Sequence, residues 1–128
     1  MVGLTYDTGA LIAAEKNERR MWGIHVRALT RGVRPTVPAG VFAEAYRSSR
    51  QTNLTRLLVS CVIEPLDGDT ARTSGALLGR CSIGVGVVDA SVVEGALRRG
   101  DSIVTSNPTH LAALADGVGR KVDLIPPT

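Results

Sequence analysis

The sequence predicts an α/β fold in which a central, mainly parallel β-sheet is covered by helices on both faces. Strand-type segments alternate with helix-type segments along the whole chain, which is the pattern of parallel strands joined by helical crossovers. The length of 128 residues and the hydrophobic content of 44% suit a single core. We therefore expect one domain that spans residues 1–128.

The first half of the chain supplies three strands and four helices. VGLTYD is predicted as a strand ending at Asp7, and TGALIAAE continues from it as a helix. A second helix is predicted over residues 16–31, where apolar residues recur between arginines. RPTVPA is predicted as a short strand that enters a third helix, GVFAEAYRSS. The helix NLTRLLVSC and the brief strand VIEP, ended by Pro65, complete this half.

The second half continues the alternation. DGDTARTSGALLGRC is predicted as a helix, because its acids come first and an arginine comes near its end, which complements the helix dipole. GVGVVDASVVEGALRRG gives a turn and a helix stopped by Gly100. DSIVTS is the next strand, PTHLAALAD the next helix, and KVDLIPP the last strand, which ends in prolines.

Apolar runs and cysteines exclude several classes of protein. The longest runs, such as GVGVV at 84–88, are much shorter than the roughly 20 residues of a membrane-spanning helix. The N-terminal stretch has no basic lead of the signal-peptide kind. We expect a soluble cytoplasmic protein without a membrane partner. Cys61 and Cys81 stand apart without a CxxC motif, which favours reduced core cysteines over a disulfide or a zinc site.

The charge balance favours a polyanionic partner. The net charge is +3 and the pI about 9.3, and all basic residues except Lys16 and Lys121 are arginines. Guanidinium groups suit bidentate phosphate contacts, although the base composition of a GC-rich genome is an alternative cause. Aromatic residues make up only 3% of the chain, which argues against a base-stacking RNA platform.

Three carboxylates stand in apolar surroundings: Asp7 in LTYDTGALI, Glu44 in VFAEAYR and Asp89 in GVVDASVV. An ionised group in such a segment is costly unless something pairs with it. Each also has a structural alternative, because Asp7 and Asp89 could be helix N-caps and Arg47 could pair with Glu44. In parallel sheets, ligands bind at the carboxyl ends of strands. We therefore expect Asp7 and Asn107 to line the same crevice.

LTYDTGALI, AEAYR, VVDASVVEGA and IVTSNPTHL, in this order, resemble the PIN-domain ribonucleases, specifically the VapC-type toxins of toxin–antitoxin pairs. The resemblance covers nearly the whole chain. It implies a PIN-like three-layer α/β/α sandwich and a metal-dependent endoribonuclease that hydrolyses RNA phosphodiester bonds. It also implies a small antitoxin protein as partner and a homodimer of toxin subunits.

The resemblance assigns the metal ligands residue by residue. Family members hold Mg²⁺ or Mn²⁺ with acids that match Asp7, Glu44 and Asp89, with gaps of 44 − 7 = 37 and 89 − 44 = 45 residues. Hard divalent cations prefer such oxygen ligands. The fourth acid of the family is replaced by Asn107, 107 − 89 = 18 residues after Asp89, and His110 follows three residues later. We therefore expect Asn107 to be a weakened fourth member of the catalytic set.

Other residues take supporting roles in this interpretation. The hydroxyls of Thr8, Thr105 and Ser106 could orient ligands or waters, and capping of the adjacent helices is an equal alternative. Arg47 and Arg50, with the arginine pairs at 19/20 and 98/99, could guide an RNA backbone toward the acids.

The main alternative function is a PIN-fold protein that has lost catalysis and acts by binding RNA or its antitoxin, which the amide of Asn107 motivates. A phosphoacceptor receiver domain would need a mid-chain aspartate, and residues 51–63 contain none. A nucleotide-binding module is also disfavoured, because the chain lacks a GxxxxGK motif and GVGVV lacks the GxGxxG spacing.

Overall fold

The computed structural model describes residues 2–128. The strands are Leu4–Tyr6 (β1), Thr36–Pro38 (β2), Val62–Glu64 (β3), Ser102–Val104 (β4) and Leu124–Ile125 (β5). The helices are Thr8–Glu15 (α1), Arg19–Thr30 (α2), Ala39–Ala45 (α3), Thr52–Leu58 (α4), Gly68–Gly79 (α5), Val87–Arg99 (α6) and Pro108–Asp116 (α7).

The strands form one parallel sheet in the order β3-β2-β1-β4-β5. Because crossovers between parallel strands are right-handed, α1 to α4 cover one face of the sheet and α5 to α7 the other. The helix contacts agree, since α1 packs against α2, α3 and α4, and α6 packs against α5 and α7. The predicted α/β class and its PIN-like three-layer form are confirmed.

The core lies on both faces of the two central strands. Every residue of β1 and β4 is buried, as expected for a parallel sheet with helices on each side. Tyr6 and Ile103 from these strands are fully buried together with large aliphatic side chains of the helices, among them Leu11, Leu111 and Leu114. Burial of this apolar surface is the main force that fixes the helices on the sheet.

A hydrogen-bonded chain of polar groups crosses this core between β1, α2 and the end of α4. The Tyr6 hydroxyl lies 2.8 Å from His25 Nδ1, and His25 Nε2 lies 2.7 Å from Ser60 Oγ. Ser60 donates its own proton to the carbonyl of Leu57, so it accepts from Nε2–H and leaves Nδ1 to accept from Tyr6. Burial lowers the pKa of His25 and raises that of Tyr6, so both groups are neutral.

Several predicted boundaries are wrong, and three of them have a visible physical cause. The helix predicted over residues 16–31 begins at Arg19, because Asn17 has a positive φ of 59° that interrupts the helical backbone. Helix α3 ends at Ala45, where the Gln51 side chain donates to the Ala45 carbonyl. The last strand is reduced to Leu124–Ile125, since the proline that follows has no N–H to donate to the ladder.

Candidate active site

Asp7 lies at the point where the strand order reverses, between the carboxyl ends of β1 and β4. It follows β1 directly and is only 5% exposed. Its side chain accepts hydrogen bonds of 2.8 Å from the Thr8 N–H and from the Thr105 hydroxyl. The first bond makes Asp7 the N-cap of α1, as the structural alternative predicted. Both bonds hold the carboxylate in one position.

Glu44 approaches the same crevice from α3. Its Oε1 accepts a 2.6 Å hydrogen bond from the Thr8 hydroxyl, so Thr8 connects Glu44 with Asp7. The alternative pairing of Glu44 with Arg47 is wrong, because the Arg47 guanidinium donates instead to the carbonyls of Ala43 and Tyr46. Within residues 2–128, no arginine or lysine forms an ion pair with Glu44.

Asp89 lies in the first turn of α6, and the helix begins two residues earlier at Val87 with Gly86 as its N-cap. The prediction that Asp89 could be the N-cap is therefore wrong. Burial raises the pKa of Asp89, the charge of Asp7 raises it further, the charge of His110 lowers it, and that of Glu44 raises it. Asp7 and Glu44 thus lie close enough to Asp89 for their negative charges to act on it.

Asn107 occupies the N-cap position of α7, but its side chain makes no capping hydrogen bond. The backbone N–H of Asn107 donates to the Thr105 hydroxyl at 2.9 Å, and its side-chain amide donates to Nδ1 of His110 at 2.9 Å. Through Thr105, Asn107 is therefore linked to Asp7. The amide group is exposed and engaged with His110, so it contributes no charge to the crevice.

The predicted supporting hydroxyls have different roles. Thr8 and Thr105 contact the carboxylates of Glu44 and Asp7 directly, whereas Ser106 is exposed. Ser106 instead touches the first turn of α1, where a Cβ on Gly9 would lie 2.9 Å from Ser106 Cβ and 3.1 Å from its backbone nitrogen. Gly9 therefore allows α1 to approach the loop after β4 closely, and sequence reasoning missed this contact.

The arginines proposed as RNA guides fall into two groups. Arg47 and Arg50 are both exposed, and the Arg47 guanidinium donates to backbone carbonyls, so both arginines are in contact with solvent. Arg98 and Arg99 are held by carboxylates: both pair with Glu64, at 2.8 and 2.7 Å, and Arg99 also pairs with Asp101 at 2.9 Å. Burial acts to raise the pKa of Glu64, but the hydrogen bonds and charges of Arg98 and Arg99 lower it below its usual value. The 98/99 pair is thus a structural clamp between α6 and β3.

The donor set fits a hard divalent cation. Carboxylate and hydroxyl oxygens meet at the crevice, where the negative charges of Asp7 and Glu44 act on Asp89 and the charge of His110 opposes them. No three His, Cys, Asp or Glu side chains of residues 2–128 converge as closely as a preformed metal centre requires. Mg²⁺ keeps several waters and needs only one or two direct carboxylates, which suits this open arrangement.

The structure resembles the toxin components of several solved toxin–antitoxin complexes over essentially its whole length. The VapBC2 complex from Rickettsia felis, bound to a promoter DNA fragment, aligns with a TM-score of 0.72 and 16% identity and covers 98% of both chains. DNA-bound VapBC from Salmonella typhimurium aligns at 0.70 with 18% identity over 100% of both chains. A toxin–antitoxin complex from Klebsiella pneumoniae aligns at 0.70 with 19% identity over 98% of both chains.

At these identities, the comparison defines a fold, and the fold is that of the PIN domain. No protein-family model and no curated protein matches the sequence. Across the described residues, no helix is both long enough and apolar enough to cross a membrane. The class of protein that fold and crevice define is therefore a PIN-like α/β protein with an acidic site at its topological switch point.

Proposed function

We propose that the protein is the toxin of a toxin–antitoxin pair and acts as a Mg²⁺- or Mn²⁺-dependent endoribonuclease. The observation that carries the proposal is that Thr8 joins Glu44 to Asp7 at the switch point of a PIN-like sheet, with Asp89 within range of both charges. Carboxylates repel RNA phosphates unless a cation lies between them. A bound divalent cation would neutralise phosphate oxygens and lower the pKa of a water molecule.

The chain's own residues would position this chemistry. Thr8 and Thr105 hold the carboxylates of Glu44 and Asp7 through hydrogen bonds of 2.6 and 2.8 Å, which limits the rotation of both acids. Asp89 is the third acid, on the rigid first turn of α6. Arg47 and Arg50 could contact the RNA backbone beside the crevice, since phosphate contacts set the position of the strand without reading its sequence.

A weakened or binding-only PIN protein is the second candidate. The observation that favours it is the neutral Asn107, whose amide is already bonded to His110. A carboxylate at this position would add a charge to the metal site, whereas the amide adds none. We therefore expect weak binding of a second cation and slow cleavage.

The proposed partners follow from the fold neighbours. Two of the similar structures are VapBC complexes and a third is described as a toxin–antitoxin complex, so a small antitoxin is the expected protein partner here. We also propose an RNA substrate, a homodimer of toxin subunits and a cytoplasmic location. Size measurement of the purified chain by light scattering tests the dimer separately from the chemistry.

The activity test compares three proteins, each purified free of any antitoxin, on total cellular RNA with Mg²⁺ or Mn²⁺. Asp7→Asn keeps a good helix N-cap but removes the charge, so it should fold and lose cleavage. Asp116→Asn is the matched control, because Asp116 is exposed at the C-terminus of α7, where a negative charge opposes the helix dipole. Equal cleavage by wild type and Asp7→Asn would refute the site, and no cleavage by any folded variant would favour the binding-only function.

A further inference from the structure

An open apolar groove lies between α5, α6 and the turn after α7, on the side of α6 remote from the acids. Ala76, Leu77, Leu97 and Val118 line it, and its volume is about 280 Å³. Asp89 is in the first turn of α6 and Leu97 near its last, so about 12 Å of helix separates the groove from the acidic crevice. Nothing in the proposed nuclease chemistry uses this surface, which we call the α5–α6 groove.

Positive charge surrounds the α5–α6 groove. Arg80, Arg98 and Arg120 all lie at its edge. Arg98 is occupied by Glu94 and Glu64, and this pairing also neutralises Glu94, the acid at the groove. Arg80 and Arg120 form no ion pair with any carboxylate of residues 2–128, and Arg80 uses only Nε, at 3.3 Å from the Gly117 carbonyl. Two guanidinium groups are therefore free to bind an anionic group.

We propose that the α5–α6 groove is the docking site of an acidic amphipathic peptide segment of a partner protein. Apolar side chains of the segment would contact Leu77, Leu97 and Val118, and its carboxylates would bind Arg80 and Arg120. Peptides that dock by one apolar face use grooves of this kind. The open groove is smaller than most pockets for free small molecules, so side chains of a docked segment suit it better than a whole ligand.

The chemistry of the groove disfavours other occupants. RNA-binding surfaces for single strands stack bases on aromatic side chains, whereas this floor is aliphatic. A second copy of this chain, docked groove to groove about a two-fold axis, would bring the Arg80 and Arg120 side chains of both copies together. Such like-charge contact opposes association. An acidic amphipathic segment is the partner that matches both the apolar residues that line the groove and the arginines at its edge.

A peptide selection tests the proposal. A library of random peptides displayed on phage is selected against the wild-type protein and counter-selected against Ala76→Glu. Ala76 is exposed on α5, so a glutamate there leaves the core unchanged, suits a helix and places negative charge on the floor. We expect the enriched peptides to carry spaced apolar residues and several acids, and to shift amide NMR signals of α5, α6 and residues 117–120.

Charge reversal tests whether Arg80 and Arg120 bind the peptide themselves or whether the net charge of the protein attracts it. Arg80→Glu combined with Arg120→Glu should weaken binding of an enriched peptide about tenfold or more. The control is Arg31→Glu, which reverses the charge of one exposed arginine after α2. It should leave binding unchanged. The proposal is overturned if the enriched peptides lack acids or bind Ala76→Glu equally. It is also overturned if an RNA oligomer shifts the groove signals more than any peptide, or if the chain self-associates through this face.

Discussion

Replacing Thr105 by valine tests the hydrogen bonds that hold the acidic site together. Valine has nearly the same shape, so the change removes the hydroxyl and leaves the packing of a 2% exposed side chain in place. The lost hydroxyl donates to the buried Asp7 carboxylate at 2.8 Å and accepts from the Asn107 N–H at 2.9 Å. Both partners are left with an unmatched polar group, so the protein should unfold more easily.

The expected loss of stability is the sum of these two bonds. A hydrogen bond to a charged group contributes about 1.5–3 kcal/mol and a neutral one about 0.5–1.5 kcal/mol. Thr105→Val should therefore lower the free energy of unfolding by about 2–4.5 kcal/mol. For a chain of this length, about 4 °C of melting temperature corresponds to each kcal/mol, so the midpoint should fall by about 8–18 °C.

Urea denaturation followed by circular dichroism measures this change, with an unaltered m-value as the sign that only stability has changed. The matched control is Thr30→Val, whose hydroxyl bonds only to the Val26 carbonyl on an exposed helix end and should cost about 0.5 kcal/mol or less. In an Asp7→Asn background, the cost of Thr105→Val should shrink by about 1–2 kcal/mol. A cost below about 1 kcal/mol in the wild-type background, or strict additivity with Asp7→Asn, would show that the Thr105 hydroxyl does not stabilise the Asp7 carboxylate.

Three further predictions concern the site and the core. Asn107→Asp adds a charge beside the acids and should tighten Mn²⁺ binding about tenfold, measured by calorimetry; unchanged affinity and cleavage rate would remove Asn107 from the metal site. Burial lowers the pKa of His25 below 6.5, so the unfolded chain binds more protons as the pH falls through that value, and stability should decrease from pH 7 to 5.5. Urea titrations at both pH values check this, and an equal decrease in His25→Asn would contradict it. Gly9→Ala should lower the free energy of unfolding by about 1–3 kcal/mol, because the added methyl group clashes with Ser106. Gly75→Ala is the control: its methyl group meets nothing within 4 Å, so the change should be neutral or stabilising by up to about 1 kcal/mol in the same denaturation assay.

Most of the fold could be predicted from the sequence because the patterns that indicate strands and helices are local. The alternation of strands and helices and the stop at Gly100, which adopts a left-handed φ of 74°, depend on residues within one turn of each other. The placement of Asp7 after the first strand has the same local origin. Boundaries failed where a single residue overrides the pattern, as Asn17 does before α2.

Contacts between residues that are far apart in the chain could not be predicted from the sequence. The sequence placed Arg98 and Arg99 among the candidate guides for RNA. Their ion pairs with Glu64 depend on α6 and β3 being neighbours in the fold. The influence of His110 on Asp89 likewise depends on the contact between α6 and α7. Glu44 and Arg47 are the opposite case. Helical spacing favoured an ion pair between them, but α3 ends at Ala45, so Arg47 lies outside the helix.

Joint binding of a divalent cation by Asp7, Glu44 and Asp89 is measured by a Mn²⁺ titration followed by electron paramagnetic resonance. Free Mn²⁺ gives a sharp signal that is lost on binding, so wild type and Asp116→Asn should both deplete it with the same affinity. Asp89→Asn, which removes the half-buried carboxylate, should bind much more weakly while remaining folded. Equal binding by wild type and Asp89→Asn, or no binding by the folded wild type, would show that these three acids do not form a metal site.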